Sequence, residues 1–452
     1  TMNEYETTYY WAVNVSDGVY WVNNTYVFTT AAGVPQVSNE QPVHGSIQVS
    51  LNPELSVYVS DYQSDTLTVN FFTNNTVDGD WVQIGSTQSG GNDTYTQPTS
   101  TMNEYETTYY WAVNVSDGTC FVNNTYCFTT MLEPASWWNT DWLYRMTVTI
   151  NDSMVSGSDS LVNFPVLVDI IDSNLSKALS NGDDFVFTDY AGMLLHHEIE
   201  YFDQSSGHLV AWVNVTSLFH NQDTVLYLYY GNSESGSMQN PAGVWDDRYV
   251  MVHHMKDDSG STVADSTMNY HNGTKYDVDE PVETVDGLID HAQDFDGLDD
   301  YISINDDAQL DLASTDFTIS LWVKPSIVSS YQRMISKRDN QETNGWNVAI
   351  RDTGIMRSLA WQGSSNKIDL EGGSVSAHNW HYMVFKRDGN NWYSILDDYV
   401  VSSDVDSDNI AINSKDLYFG ALPNSGTMDY HFDGLIDEIR ISNTSRSSDW
   451  LS

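Results

Sequence analysis

Near the C-terminal end, Leu435-Ile436-Asp437-Glu438-Ile439-Arg440-Ile441 sets an acidic pair inside an apolar run with the look of a strand. On a regular strand, side chains alternate between faces, so Asp437 shares a face with Ile439 and Ile441 while Glu438 shares the other with Arg440. A carboxylate turned toward an apolar interior is costly unless it is paired, hydrogen-bonded or metal-bound. Two readings of Asp437 follow: a metal ligand, or an acceptor of backbone N–H bonds with no ion. Glu438 and Arg440 can pair at the surface. Glu198 and Glu200 also share a face. Glycoside hydrolysis needs two carboxyls in one cleft, roughly 5 to 9 Å apart; Asp437 and Glu438 point to opposite faces, and Glu198 and Glu200 have no neighbouring acid motif. There is no HExxH, no G-x-S-x-G, no P-loop and no strand-bound GxGxxG. The expectation is a protein without catalysis. The adjacent pairs His196-His197 and His253-His254 diverge on a strand and read as surface or core histidines rather than ligands.

Cys120 and Cys127 stand where the first copy of an internal repeat has Tyr20 and Val27. If Asn123-Asn124 forms a two-residue turn, the cysteines face each other across a hairpin at disulfide distance. A disulfide, and with it an oxidising compartment, is the expectation. Eleven Asn-x-Ser/Thr sequons point the same way: Asn14, Asn23, Asn74, Asn92, Asn114, Asn123, Asn151, Asn174, Asn214, Asn272 and Asn443.

The chain has 452 residues, with 17 basic and 63 acidic side chains and a formal net charge of −46. Such a surface argues against nucleic acid and anionic membranes, which require positive charge. No Lys or Arg occurs before Arg145, whereas 15 Asp and Glu do. That segment gives trypsin-like proteases nothing to cut; halophilic adaptation explains it equally well. No run of 18 apolar residues is present, so no membrane-spanning segment is expected, and no signal peptide is visible.

The elements that must position these groups are strands. Thr1 to Gly18 recurs unchanged as Thr101 to Gly118. A 100-residue period means tandem β-sandwiches. Tyr109, Trp111, Val113 and Val115 fall on one face of a strand, as do Leu67, Val69 and Phe71. The Tyr-x-Trp-x-Val strand, a turn and Tyr-x-Phe-Thr-Thr resemble the last two strands of fibronectin type III and related Ig-like domains. By that resemblance 33–132 is one complete repeat, and 1–32 are the closing strands of another. Those strands belong to a longer repeat array or complete the sheet of a neighbouring molecule.

After Glu133-Pro134-Ala135-Ser136, read as a linker, Trp137, Trp138 and Trp142 form a cluster that suits packing better than sugar stacking. Phe164–Ile171 reads as a buried strand. The motifs FPVLV, NGDDFVFTD, AWV and YYGN in 137–247 resemble a β-sandwich family of unknown chemistry found in archaeal and bacterial surface proteins. DFDGLDDYISI, FTISLWVK, NWHYMVFKRDG and FDGLIDEIRISNTSRS place 248–452 with LamG-like, concanavalin A-like jelly rolls. Asp397-Asp398 replaces the usual Asp-Gly turn there, and Asp tolerates the left-handed geometry. The LamG resemblance implies Ca2+ held by Asp437 together with Asp265 and Asn269 of the loop ADSTMNYHNGT, because calcium takes six to eight oxygens.

The expectation is an all-β, non-catalytic, extracellular structural or adhesive protein of a microbial, archaeal cell surface. It would be a glycoprotein that associates with itself or other surface proteins, assembling into a filament by strand complementation. The alternative is the carbohydrate-binding, lectin-like portion of a larger secreted enzyme or recognition protein, with glycans as partners.

Overall fold

A computed structural model describes residues 2–451 apart from 3, 32, 75–79, 132, 134–135, 277–279, 314–315, 339–342, 364–366 and 425–426. Pro134 and Ala135 of the expected linker thus lie outside the described residues. The chain is all-β and divides into two compact units, Thr1–Ser136 and Trp137–Ser452.

In the first unit, β1 (Thr8–Ser16) and β2 (Trp21–Thr29) pair, among the described residues, only with each other. A complete sandwich follows. Its strands are β3 (Gln36–Gln41), β4 (Ser46–Val49), β5 (Glu54–Ser60), β6 (Leu67–Asn74), β7 (Val82–Gly90), β8 (Asp93–Pro98), β9 (Thr108–Ser116) and β10 (Phe121–Thr130). One sheet runs β4-β10-β9-β6-β7 and the other β3-β5-β8. β4 lies parallel to β10; the other pairings are antiparallel. Strict alternation puts Tyr109, Trp111, Val113 and Val115 into the core with Leu55, Val57, Leu67, Val69, Phe71 and Phe128.

The β9–β10 turn falls at Asp117-Gly118, not at Asn123-Asn124. Asp117 Oδ1 accepts hydrogen bonds from the backbone of Thr119 and Cys120, and Gly118 supplies the positive φ of +92°. Asp-Gly is the stronger hairpin signal, since it combines a side-chain acceptor with left-handed freedom. Asn123 and Asn124 instead lie within β10, paired with Asn114 and Val113. The expected disulfide is therefore wrong. Cys120 ends the turn and Cys127 pairs with Tyr110, seven residues further along the same strand, about 23 Å at strand rise.

The second unit opens with another sandwich. Its strands are β11 (Tyr144–Ile150), β12 (Leu161–Ile171), β13 (Val186–Asp189), β14 (Leu194–Leu195), β15 (His197–Asp203), β16 (His208–Leu218) and β17 (Thr224–Tyr230). The sheets are β11-β17-β13-β14 and β12-β16-β15. β12, expected to be buried, is a half-buried edge strand, consistent with Pro165, which cannot donate to a ladder. Trp142 is buried against Tyr227 and Tyr229 and donates to Asp184 O; Trp138 packs beside it. The tryptophan cluster thus packs a sheet.

From β18 (Tyr249–His253) onward, two large sheets enclose one core, which includes Phe295, Phe317, Trp346, Phe385, Trp392, Ile436, Ile439 and Ile441. Asp397 and Asp398 take φ of 49° and 68°, the left-handed turn their sequence promised. Between this core and the preceding sandwich sits a smaller apolar cluster of Trp212, Val244, Trp245, Tyr249 and Val252, with Ile289 and Trp450. Arg446 clamps Asp246 with two hydrogen bonds of 2.8 and 2.6 Å and stacks over Tyr249 and Trp450. Among the described residues, no helix is long and apolar enough to cross a membrane.

Candidate functional site

Two irregularities in strand pairing aim acidic side chains at this joint. Along the strand Asp433–Ser442, Asp437 pairs with Trp322 and Arg440 with Ser320, so one extra residue is accommodated between them. Glu438, at φ +50°, marks that bulge. The bulge resets the alternation, so Ile436 and Ile439 both enter the jelly-roll core. Glu438 and Arg440 reach the joint. On its other edge this strand changes partner at the same place. Ala292–Asp296 pairs up to Ile436, and β18 takes over at Ile439. A second bulge lies in β15, where Ile199 pairs with Ala211 and Tyr201 with Val210, leaving Glu200 as the extra residue. Bulges re-aim side chains in this way at sheet edges and functional sites.

His254, immediately after β18, is where these groups meet. Its Nδ1 lies 2.6 Å from Glu438 Oε1 and 2.7 Å from Glu200 Oε1, and its Nε2 lies 3.4 Å from Glu198 Oε2. Trp212 Nε1 donates to Glu200, while Trp245 Nε1 and Ser266 Oγ donate to Glu198. Arg440 pairs with the second oxygen of Glu438, and its guanidinium stacks 4.4 Å from Trp212 and 4.9 Å from Trp245. Glu200, His254 and Glu438 are all buried.

Burial sets the proton affinities and the neighbours redirect them. Burial alone would raise Glu438, but His254 and Arg440 outweigh it and hold the carboxyl down at about 2. Glu198 is likewise lowered against its burial, chiefly by His254. Burial pushes Glu200 up to about 7, with Glu438 adding to the effect. His254 is raised well above its ordinary value because the three carboxylates outweigh its desolvation. Chemically, the cluster can hold a proton or a cation between the two sandwiches.

The residues expected to bind calcium each bond to nearby backbone groups. Asp265 spends both oxygens on the backbone N–H groups of Val252, Thr267 and His271 and on the Thr267 hydroxyl. Asn269 donates its amide to Tyr249 O and Val250 O. Asp437 accepts from Leu288 N and Ile289 N through Oδ2. Among the described residues, neither carboxylate belongs to a group of three acidic, histidine or cysteine ligand atoms within 4.8 Å of one another. Both oxygens of Asp265 are thus occupied by nearby donors, whereas Asp437 Oδ1 is buried without a hydrogen-bond partner among the described residues, and Ca2+ at Asp265, Asn269 and Asp437 rests on the resemblance alone. Asp437 does not face the core, because the bulge gives that place to Ile436 and Ile439. Burial, with Glu438 beside it, raises its carboxyl well above the ordinary value. His253 is buried and bonds to His271 O.

Of the sequon asparagines, Asn14, Asn23, Asn92, Asn123, Asn151, Asn174 and Asn272 are exposed, whereas Asn74, Asn114, Asn214 and Asn443 are partly buried. Asn92 and Asn214 donate their amide nitrogens to Asp61 O and Val244 O. The sequence reading missed His254, Glu438 and Arg440 as a buried group with Glu200. The one available signal was the acidic pair inside an apolar strand.

Beside the cluster, a cleft of about 540 Å³ is lined by Trp322, Tyr382 and Trp450, with Asp397, Arg440 and Arg446 at its polar positions. Trp322 and Tyr382 stack with centroids 4.9 Å apart.

Residues 295–452 match the family described as the concanavalin A-like lectin/glucanases superfamily, and 181–271 match a domain of unknown function, DUF2341. No curated protein matches. Among solved structures, the chain is similar to domain 4 of an extracellular arabinanase from Geobacillus stearothermophilus in complex with arabinotriose. The identity is 20%, the TM-score 0.36, and the match covers 45% of this chain and 96% of that one. It is also similar to the botulinum neurotoxin serotype D binding domain, with 12% identity and a TM-score of 0.35, covering 47% of this chain and 51% of that one. The chain thus spans about half of that toxin domain. The fold class is all-β with a concanavalin A-like jelly roll.

Proposed function

We propose that the chain is a non-catalytic, extracellular structural and adhesive protein of a microbial, archaeal surface, built of tandem fibronectin- or Ig-like repeats that join through their strands. The observation that carries this reading is the hairpin β1–β2. It is a copy of β9–β10, but its core face is uncovered: Trp11, Val13, Val15, Tyr26 and Phe28 are exposed, whereas Trp111, Val113, Val115, Tyr126 and Phe128 are buried. A face of that composition is completed by strands of the β5, β6 and β8 kind, whichever chain supplies them. The five-plus-three sheets of the complete sandwich suit the repeat resemblance. Exposed sequons and an acidic first unit suit a glycosylated outer surface. Against catalysis, Glu200 and Glu438 both stand within 2.7 Å of the same imidazole nitrogen, which leaves no room for a sugar ring between them.

Sedimentation and electron microscopy of the full chain test the reading. Concentration-dependent oligomers or filaments that are lost in Trp11→Asp support strand joining. A monomer at all concentrations, in both wild type and variant, removes it.

A second reading has its own observation, the aromatic cleft. Stacked aromatic faces flanked by charged groups suit a saccharide, and the matched family is described by its lectins and glucanases. A glycan array would show selective binding that Trp322→Ala abolishes; uniform absence of binding would dismiss this role.

A further inference from the structure

The electrostatics of the joint do not close on their own. Three carboxylates, Glu198, Glu200 and Glu438, face two cationic groups, His254 and Arg440, so whenever Glu200 is ionised one negative charge is left over in a region where an unpaired charge costs several kcal/mol. The hydrogen bonding is also short of a proton. His254 Nδ1 carries at most one hydrogen, yet carboxylate oxygens stand at 2.6 and 2.7 Å from it. On the opposite side of the ring, Nε2 makes no hydrogen bond but points toward Glu198 Oε2 at 3.4 Å, although His254 is only 7% exposed.

An imidazole whose one nitrogen looks between two carboxylates, and whose other nitrogen looks at a third carboxylate fixed by its own donors, is the arrangement of a metal-binding histidine with its orienting partner. We propose that Glu200, Glu438 and His254 Nδ1 bind one first-row divalent cation of the zinc type, tying the jelly roll to the sandwich before it. The cation displaces the Nδ1 proton to solvent. Charges then balance: three carboxylates against a divalent ion and Arg440, with the imidazole neutral. Ligand atoms held at about 2.1 Å from a shared ion stand roughly 3 to 3.4 Å apart, so the observed spacings need open by only about half an ångström. Imidazole among the ligands selects Zn2+ and its neighbours over Ca2+. Glu198, held by Trp245 and Ser266, positions the ring through Nε2. Arg440 stays on the outer oxygen of Glu438. A cavity of about 240 Å³ lined by Glu198, Glu200, His254, Lys256, Asp257 and Ser266 offers a way in.

The test is titration of the chelator-stripped full chain with Zn2+ alone, followed by calorimetry in two buffers of different ionisation enthalpy, native mass spectrometry and thermal unfolding. One Zn2+ per chain, proton release on binding, a raised Tm and no competition from Ca2+ are expected. Glu438→Gln should weaken binding by 100-fold or more. Glu198→Gln, which leaves the three ligands in place, should weaken it about 10- to 100-fold. If Glu438→Gln does not fold, wild-type stoichiometry and the Glu198→Gln shift still decide the matter. Absence of a tight Zn2+ site in the wild type overturns the proposal. So does binding that Glu198→Gln and Glu438→Gln leave unchanged, or that Ca2+ displaces.

Discussion

Thr8–Ser16 and Thr108–Ser116 consist of the same nine residues, pair with their partners in the same register and turn on the same Asp-Gly step. Even the ring contacts repeat, with Trp11 on Tyr26 at 4.6 Å and Trp111 on Tyr126 at 4.6 Å. What differs is the covering. Trp111 is wholly buried under the opposite sheet, and Trp11 is 44% exposed. Local sequence is therefore sufficient to specify a hairpin, its register and its turn, while burial comes from strands elsewhere. Two strands alone are marginal in water, so a hairpin of this kind gains its stability mainly from whatever sheet covers it.

The largest expected difference between the twins lies at these tryptophans. Trp111→Ala should cost about 3–5 kcal/mol in denaturant unfolding. Trp11→Ala in the isolated full chain should leave that transition in place and affect only assembly. Equal losses in the two variants would mean that the first hairpin is already covered in solution, and the comparison would fail. The two equivalent threonines come next. Thr130 Oγ1 accepts from Thr107 N and donates to Glu104 O at a buried position, and Thr30 accepts from Thr7 N where it is only half-buried. Thr130→Val should cost about 1–3 kcal/mol, with the smaller loss in Thr30→Val because water can replace the bond. A smaller effect, and an equal one, is expected for Asp17→Ala and Asp117→Ala, since each carboxylate caps its own turn whatever covers the strand. Hydrogen exchange at residues 19–20 and 119–120 would reveal any inequality. Oxidant should change nothing measurable within one chain: titration should find two free thiols, and a protected pair would contradict the register of β10.

The repeat, the strand alternation, the Asp397-Asp398 turn and the jelly-roll motifs were legible because each is local or periodic. The site was not. Its placement depends on single-residue bulges at Glu200 and Glu438, and such an insertion is decided by the neighbouring strands rather than by the strand that carries it. Strict alternation sent Asp437 to the core and Glu438 to the surface, whereas both are buried and Ile436 takes the core position. The disulfide failed for a related reason: Asn123-Asn124 has turn-like composition, but the Asp-Gly step three residues before Cys120 had already reversed the chain. The calcium set rests on resemblance alone: Asp265 accepts from nearby backbone N–H groups, a use of a carboxylate that spacing cannot distinguish from ligation.

The parallel pairing of β4 with β10 has a mechanical consequence. Tension applied at the two ends of this sandwich draws β4 toward its beginning and β10 toward its end, so the bonds between them are loaded together in shear and cannot be peeled one at a time. Resistance to pulling is then governed by the unfolding rate under load rather than by equilibrium stability. A chain of such domains would yield in discrete steps, each lengthening the tether by one unravelled repeat, and would act as a shock absorber between whatever its two ends hold.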